Sequence, residues 1–222
     1  MNSGAANTHD APAIWKSGLI LAVMAAVCTG LVAVTYHQTA PRIAANERAY
    51  LEQSLQPALA GISYDSNVAD SAFTIPDPHE LPGNEPVTVY RAFQSGEPVA
   101  ALFVVTAPDG FSGPIRLLVG VAADGTVSGV RVLQHKETPG LGEFIDQSRS
   151  DWILQFAGTS LRDPAPAMWA IRRDAGAFDQ LTGASVTPRA VVKAVKETLL
   201  YFEANRDSVF STENPGTSDT HE

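Results

Sequence analysis

The sequence has 222 residues, of which 45% are hydrophobic, and a formal net charge of −9 at pH 7. This length is enough for one domain with its own core beside a membrane span. The acidic balance, with no run of Lys and Arg longer than a pair, argues against a nucleic-acid partner. The five histidines lack metal-ligand spacing, so we expect no metal site.

An uncharged apolar run occupies residues 18–36. As a helix it would be roughly 28 Å long, about the thickness of the hydrocarbon core of a bilayer. Side chains typical of membrane interfaces flank it on both sides: Trp15, Lys16, Tyr36 and Arg42. A cleaved signal peptide is the alternative, but its apolar region is usually shorter and ends in small residues. The run therefore predicts a retained single-span anchor.

Apolar residues at helical spacing continue after the span and predict a juxtamembrane helix over residues 43–55. Pro57 and Gly61 would stop that helix. Residues 65–86 are rich in Pro, Asp, Asn and Ser, and they predict a loop or short irregular strands. We therefore expect residues 37–85 to connect the span to a following domain.

A β-rich section follows, in which apolar or alternating segments are separated by glycine-containing turns. The predicted antiparallel strands are residues 87–93, 99–106, 115–122 and 126–134. The last strand leads into the loop Glu137-Thr138-Pro139-Gly140-Leu141-Gly142, and a helical segment is predicted over residues 143–156. Considered alone, that loop is only a Pro-Gly turn between two elements.

Three small hydroxyl residues and a glycine lie in Asp179-Gln180-Leu181-Thr182-Gly183-Ala184-Ser185-Val186-Thr187-Pro188. An amphipathic helix is predicted from Pro188 to Asn205, with Thr187 as its N-cap. The unpaired amides of its first turn and the helix dipole favour an anion beside Ser185. Gly183 would let the backbone approach a ligand closely, and Arg189 could contact a phosphoryl oxygen. Without further context, an N-cap preceded by a turn is the preferred interpretation, because small hydroxyl residues before helices are common for capping alone.

The pattern Asp-x-x-Thr-Gly-Ala-Ser-x-Thr resembles the flavinylation motif of FMN-binding domains, in which a transferase moves FMN from FAD onto a hydroxyl through a phosphodiester bond. Residues 137–142 match a loop that packs against the flavin ring in that family. Gly110-Phe111-Ser112-Gly113-Pro114-Ile115 matches a third segment in the same order. With the anchor, these motifs resemble the G subunit of the Rnf (also called Rsx) ion-translocating electron transport complex over nearly the whole chain. A more distant resemblance is to the C subunit of the sodium-translocating NADH:quinone reductase.

This resemblance implies that FMN is attached covalently to Ser185, where the family usually carries threonine. A serine hydroxyl supports the same phosphoester chemistry. Thr187 is the second candidate acceptor, and Thr182 is the third. The other cofactor-binding residues that the resemblance implies are Gly183, Ala184, Thr138, Leu141 and Arg189.

The resemblance also implies an α+β fold, with one N-terminal transmembrane helix followed by a single extracytoplasmic FMN-binding domain that has an antiparallel sheet and flanking helices. We expect residues 1–17 in the cytoplasm of a bacterium, the span in its inner membrane and residues 86–208 as the periplasmic domain. Residues 209–222 are polar and are expected to be a disordered tail. Lys16 is the only Lys or Arg before the span, whereas Arg42 and Arg48 follow it. This distribution of positive charge slightly opposes the expected orientation, but long domains translocate largely regardless of such counts.

The implied function is that of an electron-transfer subunit without a complete activity of its own. Its partners would be the other subunits of an Rnf-type complex, which couples electron transfer between NADH and ferredoxin to ion movement, and a flavin transferase for maturation. Flavin content separates this function from that of a single-pass periplasmic scaffolding or binding protein. Co-purifying subunits separate it from an Nqr-type quinone reductase subunit. No catalytic residue is predicted, because the segment around Ser185 lacks the Gly-x-Ser-x-Gly elbow.

Overall fold

The computed structural model describes residues 11–76 and 79–211, which form two compact units divided in sequence between Ala49 and Tyr50. Helix α1 spans Ala11–Ala58, and its part in the first unit contains the stretch Trp15–Ile43. That stretch is long and apolar enough to cross a membrane, and its large apolar side chains are exposed on the isolated chain. A lipid environment would cover them.

The helix boundaries differ from the two separate helices that the sequence predicts, because α1 is continuous from Ala11 to Ala58. Pro41 removes one backbone hydrogen bond without ending the helix. In an adjoining turn the hydroxyl of Thr39 donates to the carbonyl of Thr35 at 2.8 Å. Pro57 also fails to stop the helix and lies in its last turn, whereas Gly61, with φ of 81°, follows shortly after the helix ends.

The second unit is built on a five-stranded antiparallel sheet whose strands lie in chain order. The strands are β1 (Phe73–Ile75), β2 (Val87–Gln94), β3 (Glu97–Ala107), β4 (Ile115–Ala122) and β5 (Val127–Gln134). The four predicted strands are confirmed, and the segment predicted to be irregular adds the short edge strand β1. Most residues of the central strands β3 and β4 are buried, since helices cover both faces of the sheet.

Helix α2, which spans Val186–Phe210, covers one face of the sheet and packs against β3 and β4. On this face the ring of Phe103 meets that of Phe202 edge-on, with centroids 6.2 Å apart. The helix starts two residues before the predicted Pro188 and continues through Asn205, whose φ and ψ are not helical. Because α2 ends at Phe210 and Val209 is buried in the core, helical structure extends into the predicted tail. Residues 212–222 of that tail lie outside the described residues.

The opposite face of the sheet is covered by the last turns of α1 within the second unit. Leu55, Ala58 and Leu59 are buried there in a second core cluster with residues of β2, β3 and β4. The hydroxyl of Ser128 in β5 donates to the carbonyl of Ala58 at 2.6 Å. The second unit therefore has an α+β architecture in which the sheet lies between two helices.

The helical segment predicted over residues 143–156 is present as two short 3₁₀-helices, Gly142–Ile145 and Asp151–Phe156. The side chain of Ser150 accepts a hydrogen bond from the backbone amide of Trp152, which fixes the start of the second one. Trp152 and Phe156 then pack into the core beside Trp169 and Phe178. This aromatic cluster supports the loops that precede α2.

Candidate functional site

A pocket of about 150 Å³ forms where the three sequence motifs meet. Residues 110–115 lead into β4, whose first residue is Ile115, and residues 137–142 lie after β5. Because Arg116 of β4 pairs with Gln134 of β5, both segments leave the sheet at the same end. The residues that line the pocket are Phe111, Glu137, Thr138, Leu141, Gly142, Gly183, Ala184, Ser185, Val186 and Thr187.

A buried carboxylate holds the three motifs together. Glu137 is only 5% exposed, and its Oε2 accepts a hydrogen bond of 2.5 Å from the hydroxyl of Thr187, which is 1% exposed. Its Oε1 accepts a second bond, of 3.0 Å, from the backbone amide of Ser112. Both carboxylate oxygens are thus satisfied, as a buried polar group requires. Glu137 thereby joins its own loop to the first turn of α2 and to the segment before β4.

Gly142 lets the loop approach this carboxylate. A Cβ atom at residue 142 would lie 2.6 Å from Oε2 of Glu137 and 2.9 Å from Oγ1 of Thr187. Such distances are far below van der Waals contact, so a larger side chain would separate the loop from α2. Close packing against Glu137 and Thr187 therefore requires a glycine at residue 142, the last residue of this loop.

Ser185 is partly buried and directly precedes the first residue of α2. Its side chain makes no capping hydrogen bond. The expectation that Thr187 caps this helix is wrong for two reasons. The helix begins earlier, and the hydroxyl of Thr187 is donated to Glu137. Ser185 accepts one contact, from Nη1 of Arg173 at 3.4 Å.

A tight turn presents Ser185 to the pocket. The amide of Ala184 donates to the carbonyl of Leu181 at 3.2 Å, and Gly183 at the third position of the turn has φ of 80°. Positive φ at this position is the requirement of a type II turn, which glycine meets without strain. Thr182, at the second position, is exposed. The predicted residues Thr182, Gly183 and Ala184 therefore form the turn that leads into Ser185.

Arg189 lies in the first turn of α2, but its guanidinium is already paired. Its Nε and Nη2 donate to the two carboxylate oxygens of Asp174 at 2.5 and 2.7 Å. These bonds lower the pKa of Asp174 and raise that of Arg189. Arg189 thus ties residue 174 to the helix, while the neighbouring Arg173 is the arginine that reaches Ser185.

The remaining predicted residues, Thr138 and Leu141, line the pocket on the loop after β5. The Oγ1 atom of Thr138 lies 3.5 Å from Oγ of Ser112, and its carbonyl accepts the amide of Leu141 at 3.1 Å. Leu141 is 40% exposed, and Phe111 and Val186 are 70% and 42% exposed. Apolar surface that is accessible to a ligand therefore lies beside the Ser185 hydroxyl.

Two features of the site were not predicted from the sequence. From the sequence, Glu137 has no assigned role and His135, a lone histidine at a strand end, is expected to be structural. In the structure Glu137 joins three segments through its side chain, and His135 Nδ1 accepts a hydrogen bond from the Glu137 backbone amide at 3.1 Å. The adjacent Arg172 and Arg173 could bind an acidic partner or the flavin phosphate, but such pairs are usually a solvated surface; the structure brings Arg173 to Ser185. The only sequence signal for either is proximity to a motif, and neither contact follows from local spacing.

Comparison with known proteins defines the class of this domain. Residues 110–200 match the family model of the FMN-binding domain. This range contains the three segments that form the pocket and most of α2.

The N-terminal part and the full length give the family. Residues 1–57 match the model of the RnfG N-terminal region. The chain is 46% identical over 201 residues to the G subunit of the ion-translocating oxidoreductase complex of Pseudoalteromonas atlantica, covering 90% of this chain and 94% of that protein. The proteins of the same name from Vibrio cholerae and Pseudomonas aeruginosa are 44% and 45% identical, over 91% and 89% of this chain and 97% and 92% of theirs. The chain therefore belongs to the family of G subunits of the ion-translocating oxidoreductase complex.

Proposed function

We propose that this chain is a membrane-anchored covalent flavoprotein that relays electrons within an Rnf-type complex, with FMN esterified to Ser185. The observation that carries the proposal is the Ser185 hydroxyl, which is not used for capping and lies at a pocket within the FMN-binding domain. The names of the relatives support the complex, since they are subunits of ion-translocating oxidoreductases. The match of residues 1–57 to the RnfG N-terminal region favours an Rnf-type complex over an Nqr-type one.

The environment of each hydroxyl supports Ser185 as the acceptor. Thr187 is buried and its hydroxyl is engaged by Glu137, so it is neither accessible nor free. Thr182 is exposed but does not line the pocket. Ser185 is partly exposed and lines the pocket, and among residues 11–76 and 79–211 its hydroxyl is held only by a long contact to Arg173. Ser185 is thus the hydroxyl that a transferase can reach beside the pocket.

The residues present fit a flavin phosphoester. The unpaired amides at the start of α2 and the Arg173 guanidinium suit a phosphate, and Leu141 and Phe111 offer apolar surface to a ring. The pocket of about 150 Å³ is smaller than the roughly 300–1,000 Å³ usual for small-molecule sites. A cofactor held here would keep part of its surface outside, which suits electron exchange with a partner.

Attachment requires a flavin transferase and FAD. The Oγ atom of Ser185 would form an ester bond with the FMN phosphorus of FAD, while the bond from that phosphorus to the oxygen bridging it to AMP breaks. AMP leaves, and the hydroxyl proton passes to solvent. Bound FMN supplies the electron-transfer chemistry, and the protein residues position it and set its surroundings.

Membrane placement completes the proposal. We place the N-terminus in the cytoplasm, the stretch Trp15–Ile43 across the bacterial inner membrane and the FMN-binding domain in the periplasm, among the other subunits of the complex. A covalent bond suits this location, because a protein outside the cytoplasm cannot draw on the cytoplasmic flavin pool. A cofactor that dissociated there would be lost. The complex would couple electron transfer between NADH and ferredoxin to ion translocation.

The test is co-expression of the full chain with a periplasmic flavin transferase, followed by denaturing electrophoresis, in-gel flavin fluorescence and intact mass. Wild type, Ser185→Ala, Thr187→Val and Thr182→Ala are compared. We expect the mass of one FMN ester in all but Ser185→Ala. Loss confined to Thr187→Val or Thr182→Ala would move the acceptor. A wild type without flavin, beside a modified threonine-bearing relative in the same cells, would favour the scaffolding function.

A further inference from the structure

We propose that Arg173, and neither Arg172 nor Arg189, binds the phosphodiester on modified Ser185. This inference rests on the proposed function, because it assigns a ligand to the phosphate that the ester would carry. Nη1 of Arg173 lies 3.4 Å from Oγ of Ser185, the atom that would bond to phosphorus. The guanidinium would therefore be placed to donate to the non-bridging oxygens of a phosphate bonded to that atom.

The two other arginines near Ser185 are already engaged by carboxylates. Nε of Arg172 lies 3.0 Å from Oδ1 of Asp179. Arg189 donates two bonds to Asp174, in the fork geometry that matches a carboxylate. Among residues 11–76 and 79–211, Arg173 forms no salt bridge. A phosphodiester at Ser185 would give it an anion without breaking an existing pair.

The segment that carries Arg173 is fixed on both sides. Its 3₁₀-helix, Arg172–Asp174, lies between Ile171 and Phe178, which are both buried and form a parallel bridge. The Phe178 ring stacks on that of Phe156 with centroids 4.8 Å apart. The Asp174–Arg189 pair then ties this segment to the first turn of α2, next to Ser185. Arg189 would thus act on the phosphate through Asp174, as a positioning residue.

The charges of this arrangement balance locally. A phosphodiester carries one negative charge, and the Arg173 guanidinium supplies one positive charge. The amides at the N-terminus of α2 add partial positive charge from the other side. An attached phosphate would therefore lie between two groups that favour it, whereas the unmodified serine offers Arg173 only a neutral hydroxyl.

The experiment compares Arg173→Gln with Arg172→Gln in the full chain after co-expression with the transferase. The two variants remove the same charge from adjacent residues, so Arg172→Gln controls for long-range electrostatics. We measure the ³¹P NMR shift of the phosphodiester in native and urea-denatured protein. We expect Arg173→Gln to move the native signal toward the denatured value, Arg172→Gln to leave it at the wild-type value, and Arg173→Lys to restore part of the difference.

The outcomes separate this inference from the proposed function. A wild type without covalent flavin would contradict both. Full flavin loading, with an Arg173→Gln signal at the wild-type position or the same shift in Arg172→Gln, would overturn the role of Arg173 alone. If Arg173→Gln is not loaded while Arg172→Gln and Arg173→Lys are, attachment itself depends on the positive charge at residue 173, which supports the inference. Equal loss of loading in both glutamine variants would contradict it.

Discussion

Replacing Thr187 with valine tests whether the buried Glu137 carboxylate joins the loops of the site. The substitution keeps a β-branched side chain of similar size but removes the hydroxyl that donates to Oε2 at 2.5 Å. Oε2 would then be buried without that partner, while Oε1 keeps the amide of Ser112. Leaving a buried acceptor unsatisfied costs about 1–3 kcal/mol, and a charged one lies at the upper end. We therefore expect Thr187→Val to lower the free energy of unfolding by about 2–3 kcal/mol.

Thr187→Ser is the matched control, because it keeps the hydroxyl and removes only a methyl group, worth about 1 kcal/mol at a buried position. The assay is urea denaturation of the full chain in detergent micelles, followed by tryptophan fluorescence. Trp152 and Trp169 are 8% and 5% exposed and report on the second unit, whereas Trp15 is 82% exposed. A Thr187→Val protein as stable as Thr187→Ser would refute the role of the carboxylate. Flavin at Ser185 is expected in both variants.

Two further predictions concern the sheet and α2. A Cβ at Gly120 would lie 2.5 Å from the carbonyl oxygen of Ala58, so Gly120→Ala should cost about 1–3 kcal/mol in the same urea assay. Gly129→Ala, whose nearest contacts would be 3.2 Å, should cost less, and equal losses would contradict this packing. Burial raises the pKa of Glu197, so the folded protein binds its proton more tightly than the unfolded chain and stability is gained as the pH falls through that pKa. Glu197→Gln should therefore raise the thermal midpoint at about pH 8 and lose this advantage toward about pH 4; an equal gain at both values would exclude titration as the cause.

The strands were predictable because their signals are local. Alternating or continuous apolar residues bounded by glycine turns fix each strand, and short turns between consecutive strands leave little choice but a meander. The convergence of the three motifs was predicted only through resemblance to FMN-binding domains. The register that brings their loops to one end of the sheet depends on the pairing of β4 with β5, which no single segment encodes.

The helix boundaries show where local rules fail. Thr187 followed by Pro188 is a good N-terminal signal, yet Glu137, 50 residues earlier, takes the threonine hydroxyl and the helix starts two residues sooner. At the other end, Val209 and Phe210 pack on the core and extend α2 past the non-helical Asn205. In α1, the burial of Leu55 and Ala58 compensates for Pro57 in the last turn. In each case a contact distant in sequence outweighs a propensity of about 1–3 kcal/mol.

The same competition explains how the three hydroxyls of one motif come to have different surroundings. Sequence alone ranks Ser185, Thr187 and Thr182 by analogy, since all three are small, polar and close to a helix start. Tertiary structure separates them by what else each oxygen touches: Thr187 is held by a buried carboxylate, Thr182 is on the exposed side of the turn, and Ser185 neither caps its helix nor meets a carboxylate. The Thr187 hydroxyl is buried and donates its hydrogen bond to Glu137. The neighbouring hydroxyl at the pocket stays available.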